Sequence, residues 1–419
     1  MTGRSLEPAN EHRSTCRDNR PLLHGSNRSK LAAMRIVIIN GPNLNLLGTR
    51  SPEVYGAATL GNLESACKEW AHDVGHEAET FQSNHEGDII DRLHAAANAD
   101  GVVINPGALT HYSYAIRDAI DAIGTPTVEV HISNVRDREP WRRVSVVSEV
   151  CSTTIYGRGI AGYRDAIRHL AARAAWPVET IAYGPDAGSV GDLRLPKGEG
   201  PHPIAVLVHG GLWRDTAARD LLDPAAVDLA RRGWATWNIE FSRVGNGGGW
   251  RATAADVASA IASLMDFGEG HDLDLDRIVL IGHGSGGHLV LQAAIDMREV
   301  PIAAVAALAP ISDLKAAHVA GVGDGAVEAF MRRTPEESPD RLIAASPIEN
   351  LPIGIPLLIV HGDQDDHVPA AISRAFAGRA ADEGDTVVYH ELEGVGHEAL
   401  IDPATASWEK VVDEVDRLR

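Results

Sequence analysis

The chain has 419 residues, of which 44% are hydrophobic, which is enough for two or three domains. Acidic side chains outnumber basic ones by 58 to 38, and the net charge of -20 argues against nucleic acid or an anionic membrane surface as a partner. The three cysteines are widely spaced, and no apolar run reaches the roughly 20 residues of a membrane span, so we expect a cytoplasmic protein without a disulfide framework.

Residues 1–33 are rich in arginine and lack apolar periodicity, which is typical of a disordered basic tail, and Met34 is an alternative start. From there short apolar strands alternate with amphipathic helices. The predicted strands are 35–39, 79–82, 101–105, 127–130 and 153–156, and the predicted helices are 60–74, 88–97, 113–122 and 161–174. Strands separated by single helices predict a doubly wound parallel sheet, here an α/β domain over residues 34–177.

A second alternation of strands and helices follows. Its predicted strands are 204–208, 234–239, 277–281, 302–308, 357–360 and 386–390, and its last helix is 405–418. This pattern predicts a second, larger α/β domain over residues 178–419.

Polar residues follow three predicted strands of the first domain, at the edge where open α/β sheets bind ligands. They include Asn43, Arg50 and Tyr55 after the first strand, Asn105 and His111 after the third, and Glu129, His131 and Ser133 at the end of the fourth. The segment contains no phosphate-binding Gly-Lys-Ser/Thr loop and no metal-ligand spacing, so we expect no metal there.

Together with the segments 82–87 and 115–119, these motifs resemble type II 3-dehydroquinate dehydratase, a flavodoxin-like family, from Met34 to about Ala175. The resemblance implies dehydration of 3-dehydroquinate to 3-dehydroshikimate by anti elimination through an enolate, in a biosynthetic or a catabolic pathway. It implies no cofactor, and a homo-oligomer built from trimers that could extend to a dodecamer.

The implied roles make physical sense. A proton beside a ketone is weakly acidic, so its removal needs a strong base, and the resemblance assigns this role to the phenolate of Tyr55. Free tyrosine titrates near 10, and the charge of Arg50 favours the phenolate. His131 resembles the general acid, and Glu129, two residues earlier on the same face of a strand, can orient its imidazole.

The remaining positions match the family's substrate-binding set. Asn43 positions the water that bonds the enolate oxygen, and Asp118 corresponds to a residue contributed by a neighbouring subunit. The other matched residues are Asn105, His111, Ile132, Ser133 and Arg142. A lysine Schiff base is disfavoured, because Lys68 is the only lysine of residues 34–177 and lies on a predicted helix.

Residues 178–419 carry three motifs in the order His209–Trp213, His361–Pro369 and Gly394–His397. They resemble the α/β-hydrolase fold, particularly esterases and kynurenine-formamidase-like members. The resemblance implies an oxyanion hole formed by the amides of Gly211 and Leu212, with Asp365 and His397 as acid and base of a triad.

The expected nucleophile of this domain is missing. The chain reads Gly282-His283-Gly284-Ser285-Gly286-Gly287-His288-Leu289 where related proteins read Gly-His-Ser-Ala-Gly-Gly-His-Leu, so Gly284 stands at the serine position. Ser285 would open the next helix and point about 100° away. We expect a domain without its serine nucleophile. The alternatives are an esterase or amidase that uses Ser285, and a non-catalytic binding or scaffolding module.

Overall fold

The structure, a computed structural model, describes residues 33–49, 57–186 and 188–418. Residues 1–32 of the predicted tail, and the predicted base Tyr55 with its neighbour Arg50, lie outside the described residues. The first sheet consists of β1 (Arg35–Asn40), β2 (Glu77–Gln82), β3 (Gly101–Asn105), β4 (Thr127–His131) and β5 (Thr153–Tyr156). All pairs are parallel, in the order β2-β1-β3-β4-β5.

Helices cover both faces of this sheet. They are α1 (Leu60–Asp73), α2 (Glu86–Ala95), α3 (Tyr114–Ile123) and α4 (Ala161–Ala175). Helices α1 and α4 pack on one face and α2 and α3 on the other, which confirms the predicted doubly wound architecture. The N-terminus of α1 is held by a capping box, in which Thr59 accepts the N–H of Asn62 and Asn62 accepts the N–H of Thr59.

The second sheet has eight strands within the described residues, in the order β13-β12-β11-β10-β8-β9-β7-β6. They are β6 (Glu179–Ala182), β7 (Val190–Arg194), β8 (His202–Val208), β9 (Ala235–Ile239), β10 (Leu273–His283), β11 (Ile302–Leu308), β12 (Leu357–Gly362) and β13 (Val387–Leu392). Strands β8 to β13 pair in parallel, whereas β7 pairs antiparallel with β6 and with β9. Strands β6 and β7 were not predicted from the sequence.

The helices of this second layer are α5 (Asp223–Arg231), α6 (Trp250–Ala262), α7 (Leu264–Phe267), α8 (Ser285–Asp296), α9 (Leu314–Val319), α10 (Ala326–Met331), α11 (Pro339–Ala345), α12 (Ala370–Asp382) and α13 (Ala406–Val415). Apolar side chains on both faces of the sheet are buried beneath them. This arrangement is the predicted α/β-hydrolase fold. No helix within the described ranges is long and apolar enough to cross a membrane.

The two sheets belong to one compact unit, and α4 packs against α5 through a small apolar cluster. A buried ionic group lies in the same contact. Nδ1 of His169, on α4, is 2.6 Å from a carboxylate oxygen of Asp223, and the other oxygen accepts from Arg194 at 2.7 Å. Both acidic and basic side chains are buried, so each compensates the other's desolvation.

Candidate active sites

A cleft lies at the carboxyl ends of β1, β3 and β4, with an empty volume of about 660 Å³ that includes space open to solvent. The cleft is lined by Pro42, Asn43, Leu44, Leu47, Asn105, Gly107, Ala108, His111, His131, Ile132, Ser133, Val135, Arg138 and Arg142. Three strand ends thus bring together seven of the residues singled out from the sequence, from Asn43 to Arg142.

His131 and Glu129 form the central pair of this site. Nε2 of His131 lies 2.8 Å from Oε1 of Glu129, and both side chains are buried. Nδ1 of His131 has no hydrogen-bond partner within the described part of the chain. Glu129 does not line the cleft itself but lies behind the imidazole, where it can orient the ring.

Three hydroxyl groups surround the Glu129 carboxylate. Thr110 and Thr154 each donate to it, the latter at 3.2 Å, and Ser145 lies 3.0 Å from both carboxylate oxygens. Burial alone would raise the pKa of Glu129, but the hydrogen bonds from His131 and the hydroxyls outweigh it and the pKa lies below its ordinary value. Glu129 is therefore ionised, and its charge faces His131.

These hydroxyl residues were not predicted from the sequence. Thr110 stands next to His111, after the third predicted strand, and could have been noticed there. Nothing in the sequence around Ser145 indicates its role, because the loop that carries it returns to β4 only in the folded chain. The phenol of Tyr163 was missed as well; it accepts from Asn105 Nδ2 at 2.9 Å and donates to Asn40 at 2.7 Å.

The polar side chains at the rim are held by local contacts. Asn105 also accepts the N–H of Gly107 at 3.1 Å, so both polar ends of its amide are bonded within the protein. Nδ1 of His111 lies 2.7 Å from the carbonyl oxygen of Val144. Burial lowers the pKa of His111 below its ordinary value, so this imidazole is neutral near pH 7.

A cation and an unusual backbone turn complete the cleft. The guanidinium of Arg142 stacks 4.0 Å from the centre of the Trp141 ring, and its Nε lies 3.0 Å from a carboxylate oxygen of Glu139. Asn43 adopts the left-handed conformation with φ 68°, and its N–H donates to Asn84 at 2.9 Å. The turn at Asn43 places this part of the chain along one wall of the cleft.

Asp118 is not brought into this cleft. It lies on α3 with an exposed side chain and does not appear among the residues that line the cavity. Several large apolar side chains are exposed on the same domain, namely Tyr112, Tyr114, Trp141 and Val144.

A second group of candidate residues lies at the carboxyl end of β10. The turn between β10 and α8 is centred on Gly284, with φ 56° and ψ -115°. A Cβ atom at Gly282 or Gly286 would lie 2.3 or 2.0 Å from a backbone oxygen, so both flanking positions require glycine. The geometry of a nucleophile elbow is therefore present, with glycine at its centre.

His397 faces this turn. An ideal Cβ on Gly284 would lie 3.1 Å from Nε2 of His397, and Nδ1 of the same imidazole is 2.6 Å from Oδ2 of Asp365. Burial would raise the pKa of Asp365, but hydrogen bonds from His361 and His397 outweigh it, and the pKa lies far below its ordinary value. The acid and base are thus assembled.

Ser285 is the first residue of α8 and points elsewhere. Its hydroxyl is buried and accepts the N–H of Trp213 at 3.2 Å. Gly211, Leu212 and Trp213 all have positive φ angles, of 101°, 58° and 56°. The N–H groups of Gly211 and Leu212 have no acceptor among the residues that the structure describes.

No group of three His, Cys, Asp or Glu side chains in the described ranges is placed to hold a metal ion.

Comparison with known families separates the chain at the same place as the two sheets. The family described as Dehydroquinase class II matches residues 34–171, and the family described as BD-FAE matches residues 192–379.

Individual proteins agree with these matches. "Catabolic 3-dehydroquinase 1" of Neosartorya fischeri is 56% identical over 137 residues, which are 32% of this chain and 91% of that protein. "3-dehydroquinate dehydratase" of Thermotoga neapolitana is 54% identical over 137 residues, or 33% of this chain and 94% of that protein. A truncated carbohydrate esterase from gut microbiota matches 57% of this chain and 94% of its own, with a TM-score of 0.51 and 21% identity, which shows a shared fold alone.

Proposed function

We propose that the first domain dehydrates 3-dehydroquinate to 3-dehydroshikimate by anti elimination through an enolate. The premise is that the chain belongs to the class II dehydroquinase family over residues 34–171. The identity of the substrate is inferred from the relatives named above. The cleft at the carboxyl ends of β1, β3 and β4 supplies the place where it would bind.

Tyr55 is the proposed base. Its phenolate removes the proton beside the ketone, and Arg50 favours the phenolate by its charge. Each pKa unit of that preference corresponds to about 1.4 kcal/mol. Both residues follow Thr49 in the sequence. Asn43 lines the cleft and is assigned to the water that bonds the enolate oxygen.

His131 is the proposed acid, and its pairing with Glu129 is the observation that carries the proposal. With Nε2 held 2.8 Å from the ionised carboxylate, Nδ1 is the ring nitrogen left to protonate the departing hydroxyl. The carboxylate stabilises the protonated imidazole by direct Coulomb attraction. Arg142, whose planar fork suits a carboxylate, would bind that group of the substrate beside the backbone of Ile132 and Ser133.

The test is the absorbance of the conjugated enone that forms when purified protein is mixed with 3-dehydroquinate. We expect Tyr55→Phe and Arg50→Ala to lose most turnover, since each removes part of the base. Tyr389→Phe is a matched control, because it deletes a phenol hydroxyl that contacts Glu391 in the second sheet. Near-normal kcat in Tyr55→Phe would refute the assignment of the base.

Assembly is a separate part of the proposal. Asp118, exposed on α3, would complete the site of a neighbouring subunit, and the active form would be at least a trimer.

For the second domain we propose a hydrolase-like site without a serine nucleophile. This rests on Gly284, which occupies the centre of the elbow opposite His397, and on Ser285, whose hydroxyl is bonded to the N–H of Trp213 instead. A fluorophosphonate probe, which reacts covalently with activated serines, is expected to leave the native protein unlabelled. Labelling that disappears in Ser285→Ala would establish the alternative, an active esterase that uses Ser285.

A further inference from the structure

The centre of the elbow faces His397 at close range. An ideal Cβ on Gly284 would meet Nε2 and Cε1 of His397 at 3.1 and 3.4 Å, which is a tight contact for a side chain, and its next contact is Cα of Gly210 at 3.9 Å. A serine here would direct its hydroxyl toward Nε2. A water molecule in the position of that hydroxyl can hydrogen-bond to Nε2 without a covalent link to the chain, and therefore without the tight Cβ contact.

The base that faces this space is held firmly. One oxygen of Asp365 pairs with Nδ1 of His397, and the other accepts the N–H groups of His367 and Val368 at 2.9 and 2.8 Å. Nε2 of His397 has no hydrogen-bond partner in the described part of the chain. An imidazole whose Nδ1–H is bonded to a carboxylate keeps its lone pair on Nε2, which is the arrangement of a general base.

A second histidine lies beside that base. His283, whose ring centre lies 4.2 Å from that of His397, is buried, and burial together with the nearby His397 lowers its pKa well below the ordinary value. It therefore adds no positive charge near pH 7. Asp365 carries the only negative charge in direct contact with the His397 ring within the described residues.

Donors for a developing oxyanion are also present. The N–H groups of Gly211 and Leu212 belong to a loop whose positive φ angles leave them without internal acceptors in the described structure. Two contacts hold the chain just after this turn: Ser285 accepts the N–H of Trp213, and the side chain of Arg214 donates to the carbonyl of Gly323. Ser285 thus stabilises the loop through this hydrogen bond.

We propose that the second site hydrolyses carboxylic esters by direct attack of a water molecule held between Gly284 and His397, without an acyl-enzyme. This inference deepens the proposed function of the second domain and rests on the absence of a serine nucleophile there. Both the geometry of the base and the free amide donors carry it.

The step balances without any other reactant. The water oxygen bonds to the acyl carbon while Nε2 of His397 takes one water proton, and the negative charge moves onto the carbonyl oxygen near Gly211 and Leu212. Collapse of this tetrahedral intermediate breaks the bond between carbon and the alkoxy oxygen, and His397 returns the proton to the leaving alcohol. The products are the carboxylic acid and the alcohol. Serine hydrolases that lose triad members retain about 10³–10⁴-fold catalysis over water from their oxyanion donors and binding, so a site of this kind is competent.

The test compares Gly284→Ala with Gly284→Ser in the full-length protein. Both variants add the same Cβ at the same strained backbone position, so they differ only in the hydroxyl. We expect Gly284→Ala to displace the water and to lower the rate of methyl butyrate hydrolysis by about 10²-fold, and we expect His397→Gln to lower this rate as much. Titration of the released acid measures the rate. Methyl butyrate has a poor leaving group, which prevents the imidazole itself from acting as the nucleophile. Gly284→Ser should regain turnover and become labelled by a fluorophosphonate.

Circular dichroism and urea unfolding of every variant, recorded beside its dehydratase turnover, report whether both domains are folded. Native protein that shows no hydrolysis dependent on His397, or Gly284→Ala that is folded and as active as the native protein, would overturn the inference alone. Labelling of Ser285 in the native protein would overturn the proposed absence of a nucleophile and the inference with it. An unlabelled native protein whose hydrolysis depends on His397 and on the size of residue 284 supports both.

Discussion

Replacing Glu129 by glutamine should remove a charge from the first active site with little change of shape. The carboxylate is buried and lies 2.8 Å from His131. At an effective dielectric constant of about 20, two unit charges about 4 Å apart attract by about 4 kcal/mol. The amide oxygen of glutamine can still accept a hydrogen bond, so part of this interaction survives. We expect a loss of about 2–3 kcal/mol of transition-state stabilisation, which corresponds to a fall in kcat of about 10²-fold.

The Michaelis constant should change much less, because Glu129 does not line the cleft. Initial rates of enone formation over a range of 3-dehydroquinate concentrations separate the two parameters. Glu149→Gln is a matched control, since it makes the same substitution in an exposed ion pair with Arg117 on the same domain. Circular dichroism of both variants shows whether the fold is kept. If folded Glu129→Gln turns over at the native rate, the carboxylate does not support His131 and the proposed acid loses its main argument.

Three further predictions concern the reaction mechanism, the assembly of subunits and the buried contact between the two domains. Borohydride added with 3-dehydroquinate should trap no adduct, since Lys68 lies on α1 and an enolate mechanism needs no Schiff base; mass spectrometry that found substrate on Lys68 would overturn the mechanism. Asp118→Ala should lose activity without losing assembly, and mixing it with a Tyr55→Phe variant should restore part of the turnover if sites are shared, whereas a fully active monomer in sedimentation would refute the shared site. Asp223→Asn should lower the free energy of unfolding at pH 7 by about 3–5 kcal/mol, because it leaves the buried guanidinium of Arg194 without its carboxylate partner. Burial raises the pKa of Asp223, but Arg194 and His169 outweigh it and the net shift is downward, so its stabilisation is present above about pH 4 and is lost as the pH falls. Urea unfolding of the variant should therefore depend less on pH below about 4, and an unchanged acid limb would contradict this account.

Most strands of the first sheet could be recognised from their residues. β1 and β3 lie inside a parallel sheet and are buried on both faces, so the runs Ile36–Ile39 and Val102–Ile104 are entirely apolar. In contrast, β2 lies at an edge of the sheet and contains polar residues. The pattern at 79–82 therefore predicted a strand two residues shorter than the one in the structure.

β6 and β7 could not be recognised in the same way. β7 buries Asp192 and Arg194, and charged residues in a short segment do not indicate a buried strand. Their charges are matched by Arg173, Arg219 and Asp223, which come from distant parts of the chain. Only the fold provides these partners, so no local pattern could reveal the strands.

The same distinction applies to the first active site. Two residues of spacing on a strand were enough to place Glu129 and His131 on one face, because side chains alternate along a strand. The hydroxyls of Thr110, Ser145 and Thr154 reach the carboxylate from three other segments. Their convergence depends on how the strand-end loops pack, which sequence spacing does not encode.

The second site shows most clearly what the sequence by itself determined. Residues 282–289 placed Gly284 between a predicted strand and a helix that Ser285 opens, and one constraint there is local, because a Cβ at Gly282 would meet the carbonyl oxygen of Gly286 at 2.3 Å. That His397 stands 3.1 Å from the missing side chain, and that Ser285 instead supports Trp213, was decided only by the tertiary structure. The reason is physical: turn geometry depends on steric contacts between near neighbours, whereas the partner of a side chain depends on which distant loops the packed sheet brings to the same edge.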